Sequence, residues 1–232
     1  MRNGKRTILI LMTAAVLGIA GAACAQMGPR GMMPQGPPMV GALQATVGAG
    51  SQYQMTTEQG AVSFTIVVVG KETVDGGEGT WLENRFEGGR QPGEMVQKQL
   101  MVMQDGKVDI KRMIVQAPGR PPMEIPMGMM GMMGQRGQRS PSAGQGSATG
   151  DTNPGVKIGS ESVTVPAGTF TCEHYHKQTD RGAYDYWIST SVTPYPIVKM
   201  SGPSVSMVLQ KVLSGETSHI HGDPQQMPGM PH

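Results

Sequence analysis

The chain has 232 residues, with 19 Lys and Arg against 17 Asp and Glu, and only 4% of its residues are aromatic. Without the first 25 residues, 16 cations remain against 17 anions, and such a near-neutral chain has no electrostatic basis for binding nucleic acid or an anionic membrane surface. The 34 Gly and 18 Pro residues indicate that the part able to form a core is shorter than the chain itself.

The N-terminus has the three parts of a secretory signal peptide. Three basic residues within the first six precede an apolar run at 7–16, and Ala-Cys-Ala at 23–25 forms a small-residue cleavage site. The apolar run is too short to span a bilayer, and no later segment is long enough, so no transmembrane span is expected in the mature chain. We therefore predict cleavage after residue 25 and export to the periplasm or beyond. Lipidation at Cys24 is the alternative, although Gly21 stands where such a signal usually has a leucine-like residue.

The mature sequence alternates between strand-like blocks and segments rich in Gly, Pro and Met. Segments without β-branched or aromatic periodicity cannot bury enough apolar surface to fold. The predicted divisions are a disordered leader at 26–42, a first β block at 43–117, a disordered insertion at 118–155, a second β block at 156–213 and a flexible tail at 214–232. The two β blocks are expected to belong to one domain.

Short β-rich segments separated by turn residues predict an all-β fold. In the first block these segments lie at 61–69, 80–87, 94–103 and 107–116, and the Asp-Gly pair at 105–106 predicts a hairpin. In the second block they lie at 160–165, 169–178, 183–189, 197–200 and 205–213. Because twist accumulates along a meander, we expect eight to ten antiparallel strands curved into a partly open barrel or sandwich. A short helix near 40–47 is the one helical alternative.

The second block carries a sequence pattern found in exported bacterial β-proteins. Residues 160–170 read Ser-Glu-Ser-Val-Thr-Val-Pro-Ala-Gly-Thr-Phe, residues 186–189 read Tyr-Trp-Ile-Ser, and residues 194–200 read Pro-Tyr-Pro-Ile-Val-Lys-Met. Over about residues 159–213 the chain resembles an uncharacterised exported family that is similar to the lipoprotein-carrier superfamily. The resemblance implies an open, curved antiparallel barrel with an apolar concave face, and it implies no catalytic residue.

Cys172, His174 and His176 alternate along a predicted strand. Side chains two residues apart project from the same face of a regular strand, and thiolate and imidazole groups are good ligands for zinc or copper. The other interpretation is structural: the cysteine packs inward as a small apolar residue while both histidines stay solvated near the strand end.

Methionine and histidine also concentrate outside the β blocks. Thioethers are soft ligands that suit Cu(I), so no cofactor is predicted as such and copper is the alternative for these segments. The candidates in the insertion are Met127, Met129, Met130, Met132 and Met133, and a second group in the tail includes His219 and His221. Compositional drift in unfolded sequence explains the same residues without any function.

No catalytic constellation emerges from the sequence. Ser189 and Ser191 lack the Gly-x-Ser-x-Gly setting of a nucleophilic serine. Glu83 and Glu87 share one strand face, where a solvated surface is the favoured interpretation. The sequence therefore predicts an exported non-catalytic β-protein that binds an apolar small molecule or lipid, or another envelope ligand. Periplasmic Cu(I) handling and, less favoured, a hydrolase are the alternatives, and the oligomeric state is left open.

Overall fold

A computed structural model describes residues 37–58, 60–74, 77–89, 92–104, 107–125 and 152–226 of the chain. The predictions for the signal peptide at 1–25, for lipidation at Cys24 and for the methionines at 127–133 lie outside these residues. Within them, no helix has the length and apolar character needed to cross a membrane.

The described residues form twelve strands in one sheet. The strands are β1 Gly50–Thr57, β2 Gly60–Val74, β3 Gly77–Gly88, β4 Glu94–Gln104, β5 Lys107–Gln116, β6 Met123–Ile125, β7 Val156–Val165, β8 Gly168–Thr179, β9 Gly182–Ile188, β10 Ile197–Ser201, β11 Val205–Leu213 and β12 Gln225–Gln226. Their order is β12-β6-β5-β4-β3-β2-β1-β11-β10-β9-β8-β7, and every neighbouring pair is antiparallel except β12 and β6. The predicted all-β class is confirmed, and the sheet is not closed into a barrel. The described residues near 40–47 are not helical.

The pairing of β1 with β11 joins the two predicted blocks into this one sheet. The register runs from Gly50 opposite Leu213 to Thr57 opposite Val205. The strands β4 and β5 flank the Asp-Gly pair as predicted. Strands β6 and β12 lie in the segments predicted to be disordered or flexible, yet they pair with each other.

One face of the sheet is apolar and is filled by the chain's own side chains. Tyr53 lies opposite Leu209 of β11 and opposite Phe64 of β2, and Phe64 in turn lies opposite Phe86 of β3. The rings of Phe64 and Phe86 lie 5.1 Å apart, which favours an aromatic contact beyond simple burial. Val40, from the segment before β1, packs in the same cluster. The apolar face is therefore a core, and the opposite face of β1–β6 carries polar side chains that include Glu83 and Arg85.

Candidate binding face

A buried ion pair lies at the centre of the polar face. Glu83 is 0% exposed and Arg85 is 5% exposed, and Arg85 Nε donates to Glu83 Oε1 at 2.9 Å. They are two residues apart on β3, so both project from the same face. The predicted solvated face for Glu83 and Glu87 is wrong for Glu83, and only Glu87 is exposed. A carboxylate loses its hydration when buried, so Glu83 depends on its protein donors.

Residues 214–226 cross this ion pair, and we call them the C-terminal strap. Arg85 donates to Glu216 Oε2 at 3.0 Å and to the carbonyl oxygen of Thr217 at 2.5 Å. The hydroxyl of Ser218 donates to Glu83 Oε2 at 2.5 Å, and the backbone N–H of His219 donates to Glu83 Oε1 at 2.9 Å. Both oxygens of Glu83 are thereby occupied, and the strap completes the partners that the ion pair needs.

Both predicted tail histidines belong to the strap. The Nδ1 of His219 lies 2.9 Å from Glu94 Oε2, and the backbone N–H of His221 donates to Gln116 Oε1 at 3.0 Å. Between them, Ile220 packs against the apolar cluster formed by Trp81, Leu100 and Ile114. The two histidines therefore anchor the strap to β4 and β5 in this structure.

Two open, largely polar clefts lie beside the strap. The first measures about 290 Å³, and its lining includes Gln52, Thr65, Glu87, Glu94, Lys211 and His219. The second measures about 320 Å³, and its lining includes Glu72, Trp81, Lys98, Arg112, Ile114 and Ile220. Their sizes lie at the lower end of ordinary ligand pockets, and their polar linings suit a hydrophilic group.

The second group of predicted site residues lies on β8. Cys172 is 0% exposed, whereas His174 Nε2 and His176 Nδ1 each lie 3.1 Å from the same atom, Asp185 Oδ1. The register explains this convergence, because His176 lies directly opposite Asp185 of β9. Burial, with a smaller contribution from Glu161, raises the pKa of the Cys172 thiol and disfavours the thiolate that binds metals.

The histidine neighbourhood is already satisfied by hydrogen bonds and ring contacts. The rings of His174 and Trp187 stack with centroids 4.4 Å apart, and Lys199 Nζ lies 4.6 Å from the Trp187 centroid. The indole N–H of Trp187 donates to Glu161 Oε1 at 2.5 Å. Burial raises the pKa of Asp185, but the hydrogen bonds to His176 and His174 outweigh burial and lower it overall.

Metal binding stays a prediction of the sequence. Among the residues that the structure describes, no three His, Cys, Asp or Glu side chains are arranged to hold a metal ion. The copper candidates Met127, Met129, Met130, Met132 and Met133 lie outside the described residues.

Comparison with known proteins adds a limited likeness. No protein-family model and no curated protein matches the chain. A protein from Parabacteroides distasonis, provisionally described as a lipoprotein, has 14% identity and a TM-score of 0.34, with 73% of this chain and 97% of that chain covered. A protein from Bacteroides fragilis, provisionally described as exported and as having a YmcC-like fold, has 12% identity and a TM-score of 0.32. The match covers 76% of this chain and 99% of that chain. At such TM-scores the likeness assigns neither family nor function, and the resemblance to lipoprotein carriers stays a prediction.

Proposed function

We propose that this protein is exported to the cell envelope and acts there as a non-catalytic protein that binds a polar, anionic envelope component. The signal-peptide pattern at the N-terminus supports export. The observation that carries the binding proposal concerns two lysines on the polar face. Lys98 and Lys211 line one cleft each, and neither forms a salt bridge with any described carboxylate.

The separation of the sheet into a buried apolar face and an accessible polar face favours a polar ligand over an apolar one. Carrying a lipid tail requires apolar surface that the ligand can reach. On the apolar face, Tyr53, Ile66 and Leu209 are each at most 1% exposed, because the chain itself covers them. The clefts beside the strap are open instead, so a ligand reaches the polar face without unfolding the core.

The central ion pair supports a binding role rather than a catalytic one. A general acid or base needs an atom free to exchange a proton with a substrate. Both carboxylate oxygens of Glu83 accept hydrogen bonds from Arg85, Ser218 and His219, which hold the strap in place. Glu83 and Arg85 are thus used to build the face on which a ligand would bind.

Co-sedimentation with an isolated cell-envelope fraction tests this proposal. We expect residues 26–232 to sediment with the fraction, and we expect Lys211→Glu to reduce the bound amount because it reverses an exposed charge in the first cleft. Arg181→Glu is the matched control, since it makes the same charge change at an exposed position in the β8–β9 turn. Equal binding by both variants, or displacement of the protein by an uncharged apolar lipid, would contradict the polar-face proposal.

A further inference from the structure

Lys98 is a half-buried cation whose expected partner is already occupied. In the register of β3 and β4 it lies directly opposite Glu83. Glu83 accepts from Arg85 and from the strap instead, and Lys98 Nζ lies 4.7 Å from the centroid of the Trp81 ring. A cation–π contact stabilises the charge of an ammonium group but supplies no hydrogen-bond acceptor for its N–H groups. Lys98 lines the second cleft, makes no salt bridge with a described carboxylate, and therefore keeps N–H donors for a ligand.

A second cation lies over the same ring. Arg112 Cζ is 5.4 Å from the Trp81 centroid, on the strand next to that of Lys98. Burial lowers the pKa of Lys98, Glu83 and Glu72 oppose that effect, and the charge of Arg112 adds to it. The charge of Arg112 thus disfavours the charged form of Lys98, and an additional anion near both cations would favour it.

The carboxylates around Arg112 leave part of its donor set free. Arg112 pairs with Glu124 through two hydrogen bonds, from Nε to Oε1 at 2.8 Å and from Nη2 to Oε2 at 3.3 Å, and its Nη1 lies 3.6 Å from Glu72 Oε1. Glu72 also accepts the indole N–H of Trp81 at 2.8 Å. A guanidinium has five N–H donors, so Arg112 retains the capacity to bind a further oxygen.

We propose that the second cleft is an oxyanion site in which Lys98 and Arg112 together bind a phosphate or carboxylate group over Trp81. The volume of about 320 Å³ accommodates one such group with a small organic remainder, which Ile114 and Ile220 can contact. Glu72 also lines this cleft, but it already accepts the indole N–H of Trp81 and lies beside Arg112. In the first cleft Glu87 and Glu94 lie directly opposite one another, so that cleft is the weaker candidate for this chemistry. The biological role of this site rests on the proposed function, whereas its existence does not.

Titration with inorganic phosphate at constant ionic strength, followed by calorimetry and by tryptophan fluorescence, tests the site. We expect saturable binding to residues 26–232 and about a tenfold loss of affinity in Lys98→Met, which keeps the aliphatic contact with Trp81 and removes the charge. Lys98→Arg should retain binding. Lys199→Met is the matched control, since Lys199 lies over the other tryptophan, Trp187, and should bind phosphate like the wild type.

Further titrations distinguish the possible sources of the oxyanion, and they distinguish the oxyanion site from the proposed envelope role. Acetate tests the carboxylate chemistry, and phosphatidic acid vesicles test a lipid headgroup against free phosphate. Absence of saturable binding of phosphate and acetate, or equal losses in Lys98→Met and Lys199→Met, would overturn the oxyanion site. Phosphate binding without envelope co-sedimentation would leave the site standing and refute the envelope role. Envelope binding together with no saturable binding of phosphate or acetate would refute the site and leave the envelope role standing.

Discussion

Replacing Arg85 by methionine tests whether the ion pair under the strap is desolvated. Arg85 is 5% exposed and donates to Glu83, Glu216 and the carbonyl of Thr217. Methionine retains most of the aliphatic stem but supplies neither charge nor donor. Glu83 would then keep a buried charge with only neutral donors from the strap. Breaking a buried pair in this way costs about 3–5 kcal/mol, a large part of the roughly 5–15 kcal/mol that stabilises a typical domain.

Urea unfolding followed by tryptophan fluorescence measures this loss. Arg181→Met, at an exposed turn position, is the matched control and should change the free energy of unfolding by no more than about 0.5 kcal/mol. The double variant Glu83→Gln with Arg85→Met should recover part of the loss, because no charge stays buried without a partner. A loss below about 1 kcal/mol in Arg85→Met would refute the argument that the strap and the sheet enclose a desolvated pair.

Three further predictions concern β7–β9. Hydrogen bonds to His176 and His174 lower the pKa of Asp185 below the ordinary value for an aspartate. The stability that the ionised Asp185 contributes is therefore present above the ordinary pKa and is lost as the pH falls through the lowered one. The difference in unfolding free energy between wild type and Asp185→Asn should therefore shrink between pH 5 and pH 2 (about the range set by carboxyl titration), and a pH-independent difference would contradict this. In the protein of residues 26–232, Cys172 is buried and its pKa is raised, so it should react with a thiol reagent only after the protein unfolds. Rapid labelling of the native protein would contradict this expectation. Gly155→Ala should destabilise the protein by at least about 1 kcal/mol, since Gly155 has φ of +103° and an added Cβ would overlap the carbonyl of His176; an unchanged urea midpoint would count against this.

Local patterns in the sequence predict most of the sheet. The β-branched run of β2 and the Asp-Gly pair between β4 and β5 are local sequence signals, because neighbouring residues determine these elements. Both elements were therefore predicted correctly. Strand β1 was missed although Tyr53 and Met55 alternate with Gln52 and Gln54, a period-2 pattern that could have revealed it. The glutamines and threonines of β1 make the segment polar in composition, although its apolar side chains Tyr53 and Met55 are buried.

The candidate binding face could not be predicted in the same way. Glu83 and Arg85 are close in sequence, but their remaining partners lie in the strap more than 130 residues later. No periodicity relates such distant segments, so the carboxylates of β3 appear solvated from the sequence alone. The alternation of Cys172, His174 and His176 predicts one shared face, and the structure brings His174 and His176 together at Asp185. That convergence depends on the register of β9, which the sequence does not indicate.

Hydrogen–deuterium exchange of residues 26–232, with and without the isolated cell-envelope fraction, tests most directly whether the polar face is the binding face. A ligand in the clefts beside the strap should slow exchange in the peptides covering β2–β5 and residues 214–226, because backbone opening there would require the ligand to leave. Exchange in β7–β9 should stay unchanged. Protection confined to β7–β9, or no protection in any peptide while the protein sediments with the envelope, would contradict the account.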